Sequence, residues 1–304
     1  MIVWLASYPR SGNTLLRVIL HQAFGLTTHS RYDDMDDITP NPALAALTGH
    51  ATHRLGMDAF IDAARAAPET YFVKTHELPN DDAPAIYVIR DGRAATISLW
   101  HYWQNFVPVS GPPALLDIVL GDIFCGGWSD HLFAWNPTAR RDTLLLRFEQ
   151  LTAGDPAAIE AIGNFLKLRQ IGAASINFEK LHGISPKFFR GGSDEKNIAE
   201  LDARCRELFW LRNGPAMTAF GYASEDPYAP LSPEHRKRLC AEMTQTFAPE
   251  RERFAHELAK REIDNSQLRE KLTRIERSRW WRFGKKLRLT PKKGGFRPGS
   301  NAAA

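Results

Sequence analysis

The sequence predicts an α/β fold: one domain with a central parallel sheet flanked by helices, plus a C-terminal helix or coiled coil. Three observations carry this. Short apolar runs recur at 2–7, 71–75, 85–89 and 143–148, each closing on polar residues, and runs of that length read as buried strands. Helical stretches alternate with them, which is the pattern of a parallel sheet whose ligand site lies beyond the carboxyl ends of its strands. Finally, no glycine or proline follows Pro249 until Gly284, and Glu, Arg and Lys fill the interval, which favours one long helix.

The elements follow in order. Residues 2–7 (IVWLAS) form the first strand, a glycine-containing turn follows, and Thr14–Leu20 begin a helix. The acidic, turn-rich segment 31–42 reads as a loop and 56–67 as a helix. The runs YFVKT (71–75) and AIYVI (85–89) are strands, with another helix opening at Asp91-Gly92. TLLLRF (143–148) is a strand before Glu149, and a helix spans about 156–168. Pro227, Pro230 and Pro233 close the body, setting a domain at 1–233, a helical tail at 234–283 and a basic C-terminus at 284–304. Residues from about 290 lack the composition for fixed structure.

Within the tail, Phe254, Leu258, Arg261, Asn265, Leu268, Leu272 and Ile275 step by alternating fours and threes. That heptad spacing places Asn265 at an a position, a device that fixes register in two-stranded coils. The expectation is a homodimer through the coil, or else a single amphipathic helix folded onto the body.

Composition narrows the classes. The 304 residues are 43% hydrophobic and 24% charged, ordinary for a globular protein. Three cysteines without metal-ligand spacing fit a reducing compartment, and the N-terminus carries no charged region before its short apolar run, so the expected location is cytoplasmic. Charge is uneven: residues 234–304 hold 19 Lys+Arg against 9 Asp+Glu, whereas 1–233 hold 20 against 26. A basic tail on an acidic body predicts an anionic partner for the tail, such as the inner face of a membrane, and no nucleic acid for the body. A solvated charged helix is the plain alternative. Between Arg277 and Arg297 nine cations surround Trp280, Trp281 and Phe283.

The strongest chemical signal is Ser7-Tyr8-Pro9-Arg10-Ser11-Gly12-Asn13-Thr14, between the first strand and the first helix. Successive backbone N–H groups and a helix N-terminus there make an anion cradle, a P-loop-like arrangement. Gly12 permits close backbone approach, Arg10 brings charge, and Ser11 and Thr14 bring hydroxyls. GxxxxGK[ST] is absent, as is a convincing acid for Mg²⁺, so an ordinary ATPase is disfavoured and no metal is expected.

This segment resembles the 5′-phosphosulfate loop of the sulfotransferases that use 3′-phosphoadenosine-5′-phosphosulfate (PAPS), whose pattern is Tyr-Pro-Lys-Ser-Gly-x-Thr. Phe72-Val73-Lys74-Thr75-His76-Glu77-Leu78-Pro79 is similar to that family's strand end bearing the catalytic histidine. Ile86–Arg90 followed by Asp91–Ser98 is similar to its 3′-phosphate motif, an Arg at a strand end and a Ser eight residues on. Phe188-Phe189-Arg190-Gly191-Gly192 looks like a shortened loop that closes over the 3′-phosphate. The resemblance covers about residues 2–223 and implies a cytosolic-type fold, PAPS as donor and 3′,5′-ADP as product. Two departures stand out: Arg10 replaces the family's loop lysine, and Gly191 replaces another. Arginine keeps its charge but does not readily release a proton.

On this likeness His76 is the general base, Lys74 and Arg10 stabilise the transferring group, and the cradle is Arg10, Ser11, Gly12, Asn13 and Thr14. Arg90, Ser98, Arg190 and Gly191 take the 3′-phosphate, with Lys196 a weaker candidate. Phe148 either walls the adenine or packs in the core. His101, Tyr102, Trp103, Trp128, His131 and Trp135 either line an acceptor pocket or pack internally. The acceptor stays open among small alcohols, glycolipids and saccharides. Two other classes remain: a phosphate-loop nucleotide kinase, and a catalytically weak PAPS-binding scaffold.

Overall fold

The computed structural model describes residues 1–246, apart from 33–37, 54, 107–113, 174–177, 187, 188 and 190–193, together with Lys271; the side chains of Phe178, Lys180 and Thr246 are not described. The chain divides into two compact units, 1–108 with 112–246, and 109–111 with 247–304. The heptad seam and the basic C-terminus lie outside the described residues.

Five parallel strands form one sheet in the order β2-β3-β1-β4-β5: β1 (Ile2–Ser7), β2 (Thr28–Ser30), β3 (Tyr71–Thr75), β4 (Ala85–Ile89) and β5 (Thr143–Arg147). All six residues of β1 are buried, as its unbroken apolar run requires of a central strand. β1 lies between β3 and β4, and the connections run first to β2 and β3 on one side and then to β4 and β5 on the other, so the crevice beyond its carboxyl end is the place such sheets bind ligands.

The helices are α1 (Asn13–Phe24), α2 (Pro42–Leu47), α3 (Met57–Ala66), α4 (Gly92–Phe106), α5 (Leu115–Leu120), α6 (Trp128–Trp135), α7 (Phe148–Ala153), α8 (Pro156–Leu166), α9 (Phe178–Ile184), α10 (Asp194–Ala199), α11 (Ala203–Ala219) and α12 (Pro233–Thr246). On one face of the sheet Val3, Leu5, Phe72, Ile86, Val88 and Leu146 bury against Leu16, Ile19 and Leu20 of α1 and Ala158, Ile159 and Ile162 of α8. Alternate strand residues meet one face, and i, i+3, i+4 residues of the helices meet them. α1 ends at Gly25, at φ 68°, where the Gly25 N–H donates to His21 O and the Leu26 N–H to Leu20 O. α8 starts at Asp155, whose side chain accepts from the Ala157 N–H, with Pro156 at the first helical position.

The four strands and the helices opening at 13, 57, 92 and 156 stand where the sequence places them. β2, with three residues, was too short to show a period. So were several of the short helices, among them α6 and α10, and β2, α6 and α10 prove to border the site.

Candidate active site

The loop after β1 is held in an unusual conformation. Arg10 has φ 65° and Gly12 φ 101°, so two residues flanking Ser11 are left-handed. The Ser11 N–H donates to Tyr8 O at 3.2 Å, and the Leu16 N–H donates to Gly12 O at 3.0 Å to start α1. Any Cβ on Gly12 would stand 2.6 Å from Phe148 Cδ2, so both the dihedral and the space demand glycine. No side chain caps the first turn of α1. Asn13 turns inward instead, its Nδ2 donating to Leu5 O at 2.7 Å and reaching Ser7 Oγ at 3.4 Å. It therefore braces the loop with its side chain, leaving its backbone N–H in the cradle. The Ser11 hydroxyl is fully buried and, among the described residues, has no hydrogen-bond partner. An orphan of that kind costs about 1–3 kcal/mol unless something satisfies it. Thr14 lies buried in the same turn. An unsatisfied hydroxyl, uncapped N–H groups and a glycine-only surface fit a phosphate or sulfate ester.

Arg90 and Ser98 converge on this loop from β4 and α4. Arg10 Nε donates to Ser98 Oγ at 3.3 Å, and its guanidinium lies 5.2 Å from the centre of the Tyr102 ring. Arg90, the first residue after β4, donates through Nη1 to Arg10 O at 2.8 Å and stacks on Phe148 at 4.2 Å. Its remaining edge pairs through Nε and Nη2 with the carboxylate of Asp194, at the start of α10. Phe148 is thus wedged between Gly12 and Arg90. Lys196 is exposed on α10. Arg190 and Gly191 lie outside the described residues.

Lys74 and His76 leave the end of β3 beside this loop, Lys74 in register with Leu5 of β1. His76 Nδ1 is 2.8 Å from Ser7 O and 3.4 Å from Ser7 Oγ. A carbonyl only accepts, so Nδ1 carries the proton and Nε2 is the basic nitrogen. The His76 N–H donates to Tyr32 Oη at 2.9 Å, and the two rings lie nearly parallel, 5.9 Å apart at 14°. Lys74 Nζ is 5.7 Å from the centre of the same tyrosine ring. Burial pushes the Tyr32 hydroxyl up to about 12. Arg31 pairs with Glu77 at 2.8 Å. Tyr32 escaped the sequence reading because only β2, invisible to periodicity, places it here.

The aromatic segment divides, and the acceptor-pocket alternative fails for its inner half. Trp128, His131 and Trp135 are buried at 2%, 0% and 2% exposure. Tyr87 Oη and His131 Nδ1 are 2.8 Å apart, and Trp135 Nε1 donates to Glu77 O at 2.9 Å. Burial holds His131 neutral, its pKa near 3, against the opposing pull of the His76 and Glu77 carbonyls. His131 and Trp135 buttress the turn that carries His76. His101 is taken up by Glu200 at 2.5 Å, and Tyr102 stacks on Phe106. Phe124, 57% exposed, meets the Tyr32 ring edge-on at 6.5 Å. Among the described residues no three His, Cys, Asp or Glu gather as a metal site, and no helix is long and apolar enough to cross a membrane.

Comparison with known proteins places the fold. Cytosolic sulfotransferase 14 of Arabidopsis thaliana is 25% identical over 191 residues, 55% of this chain and 53% of that protein. Flavonol 3-sulfotransferase of Flaveria bidentis is 23% identical over 182 residues, 54% and 56% respectively. The chain thus spans about half the length of the curated relatives it matches. Among solved structures, a mouse sulfotransferase complexed with PAP shares the fold at TM-score 0.50 and 17% identity, over 72% of this chain and 88% of that one. A retinol dehydratase in complex with androsterone and PAP does so at TM-score 0.51 and 16% identity, over 71% and 80%. The sulfotransferase domain matches residues 2–186, more than half of the chain, and the chain belongs to that family.

Proposed function

We propose that this protein is a sulfotransferase that moves a sulfuryl group from PAPS to an acceptor hydroxyl or amine, in line and without a metal ion, leaving 3′,5′-ADP. The carrying observation is the cluster of Arg10, Ser98 and Arg90 around the uncapped first turn of α1, with His76 tied to the same loop through Ser7. The P-loop-like turn, with the Ser11 hydroxyl and the N–H groups of α1, holds the 5′ end of the donor. Arg90 and Ser98 hold its 3′-phosphate, which takes the position now filled by Asp194.

The donor supplies an activated sulfate ester; the chain supplies placement and proton handling. His76 Nε2 takes the acceptor proton as the acceptor atom bonds to sulfur and the bond from sulfur to the phosphate oxygen breaks. Lys74 and Arg10 offset charge spreading over the equatorial oxygens, the service a metal performs in phosphoryl transfer. Arg10 does this without giving up a proton, so the leaving phosphate departs as an anion. Exposed Phe124 beside Tyr32, and exposed Leu78 two residues beyond His76, offer an apolar surface to the acceptor.

Titration with 3′,5′-ADP and 5′-AMP in EDTA tests the donor site. The protein should prefer 3′,5′-ADP. Arg90→Ala should weaken that nucleotide by about 10–100-fold and erase the preference, since a charge-assisted bond is worth about 1.5–3 kcal/mol. His76→Ala should keep the binding while turnover falls about 10²–10⁴-fold. Equal affinity of the unmodified protein for both nucleotides refutes the donor assignment. Retained turnover in His76→Ala would mean that another group takes the proton.

A further inference from the structure

We propose that Tyr32 is a positioning residue for the candidate base and the candidate lysine, a role that rests on reading His76 as the base. Register puts it there. β2 pairs with β3 so that Ser30 faces Lys74, and the Arg31 N–H donates to Lys74 O at 3.1 Å. Continuing two residues along both strands brings Tyr32 beside His76. Lys74 and His76, two apart at the end of a strand, share one side of the sheet. The centre of the Tyr32 ring lies 5.7 Å from Lys74 Nζ and 5.9 Å from the centre of the imidazole.

Three of the contacts on His76 restrain different motions. The Nδ1 bond to Ser7 O selects the tautomer and the direction of Nε2. The parallel Tyr32 ring blocks rotation of the imidazole out of that plane. The Tyr32 hydroxyl accepts the His76 N–H at 2.9 Å, replacing the ladder bond lost where β2 ends after Ser30, and so pins the backbone beneath the side chain. Phe124 packs edge-on against the same ring, completing the support from the solvent side. A base held in this way needs no reorganisation when the acceptor arrives.

The test reads His76 directly in the full chain, without donor or acceptor. In imidazole NMR spectra, with His76 assigned from His76→Gln, the unmodified protein should show one tautomer, protonated at Nδ1, and a ring-current displacement of the imidazole carbons. Tyr32→Leu should lose the displacement and mix the tautomers. Tyr32→Phe should keep the displacement, but its His76 amide should exchange with D₂O roughly tenfold faster or more. An unchanged His76 spectrum in Tyr32→Leu, or an unchanged amide in Tyr32→Phe, overturns the proposal, and the second variant stays informative if the first does not fold. Binding of 3′,5′-ADP should be equal in all three proteins. Its absence from the unmodified protein would defeat the donor assignment and leave the positioning result standing.

Discussion

His76 and His131 approach the same turn and are held for opposite purposes. His76 is half-buried, with its tautomer set by Ser7 O. His131 is fully buried against the backbone of His76 and Glu77 and bonded to Tyr87, and desolvation keeps it neutral with a pKa near 3. Because the unfolded chain protonates this residue near its ordinary 6.5, the unfolded state binds the extra proton between those two values. This contribution to stability is therefore fully present above about pH 6.5 and is lost as the pH falls through that window. His29, also lowered by burial, adds in the same direction. Urea midpoints at pH 7.5 and 5.0 should show a steeper loss for the unmodified protein than for His131→Gln. Parallel slopes would mean that His131 does not carry the acid sensitivity.

Two short helices decide what the strand ends can do. α6 supports the His76 turn from below through the Trp135 bond to Glu77 O. α10 bears on the proposed donor site, since Asp194 pairs with the outer edge of Arg90 and Glu200, one residue past the helix, holds His101 of α4. A phosphate arriving at Arg90 must displace a carboxylate already paired there, and occupancy of the competent state sets apparent affinity. Asp194→Asn should bind 3′,5′-ADP roughly tenfold more tightly, equivalent to about 1.4 kcal/mol, with 5′-AMP affinity unchanged. Calorimetric titration of both nucleotides checks this. Weaker binding of 3′,5′-ADP by the variant would mean that Asp194 helps to build the site rather than competing for it.

Charge divides the whole molecule into an acidic body and a basic tail, 19 cations against 9 acids in residues 234–304. We propose an anionic membrane surface as the partner of that tail. Its last segment joins nine Lys and Arg to Trp280, Trp281 and Phe283, and aromatic rings favour the bilayer interface while each nearby cation adds about 1 kcal/mol. The full chain should sediment with phosphatidylserine vesicles at low salt and release as salt rises. Deleting 277–304 should abolish sedimentation and leave nucleotide binding intact. A full chain that ignores such vesicles would remove the membrane from the account and leave the tail as a protein-docking or solubilising element.

Much of the fold and part of the candidate site were legible in the sequence because they obey local rules. Apolar runs of five or six residues mark the strands, and helical stretches between them mark a parallel sheet. In such a sheet the residue after each strand faces the ligand crevice, so Arg10–Thr14, Lys74, His76, Arg90 and Ser98 could be named from position and likeness. What only the tertiary structure decided involves contacts distant in sequence. Tyr32 reaches His76 across 44 residues because β2 pairs with β3. Asp194 reaches Arg90 across 104 residues through α10. The same aromatic cluster could have lined a pocket or filled the core, since composition is alike in both, and only the packing of α6 beneath Tyr87 and Glu77 distinguishes them. Chain pattern encodes which residues lie at a strand end; which neighbours close over them depends on register and on helix placement, and neither is written in any single window of sequence.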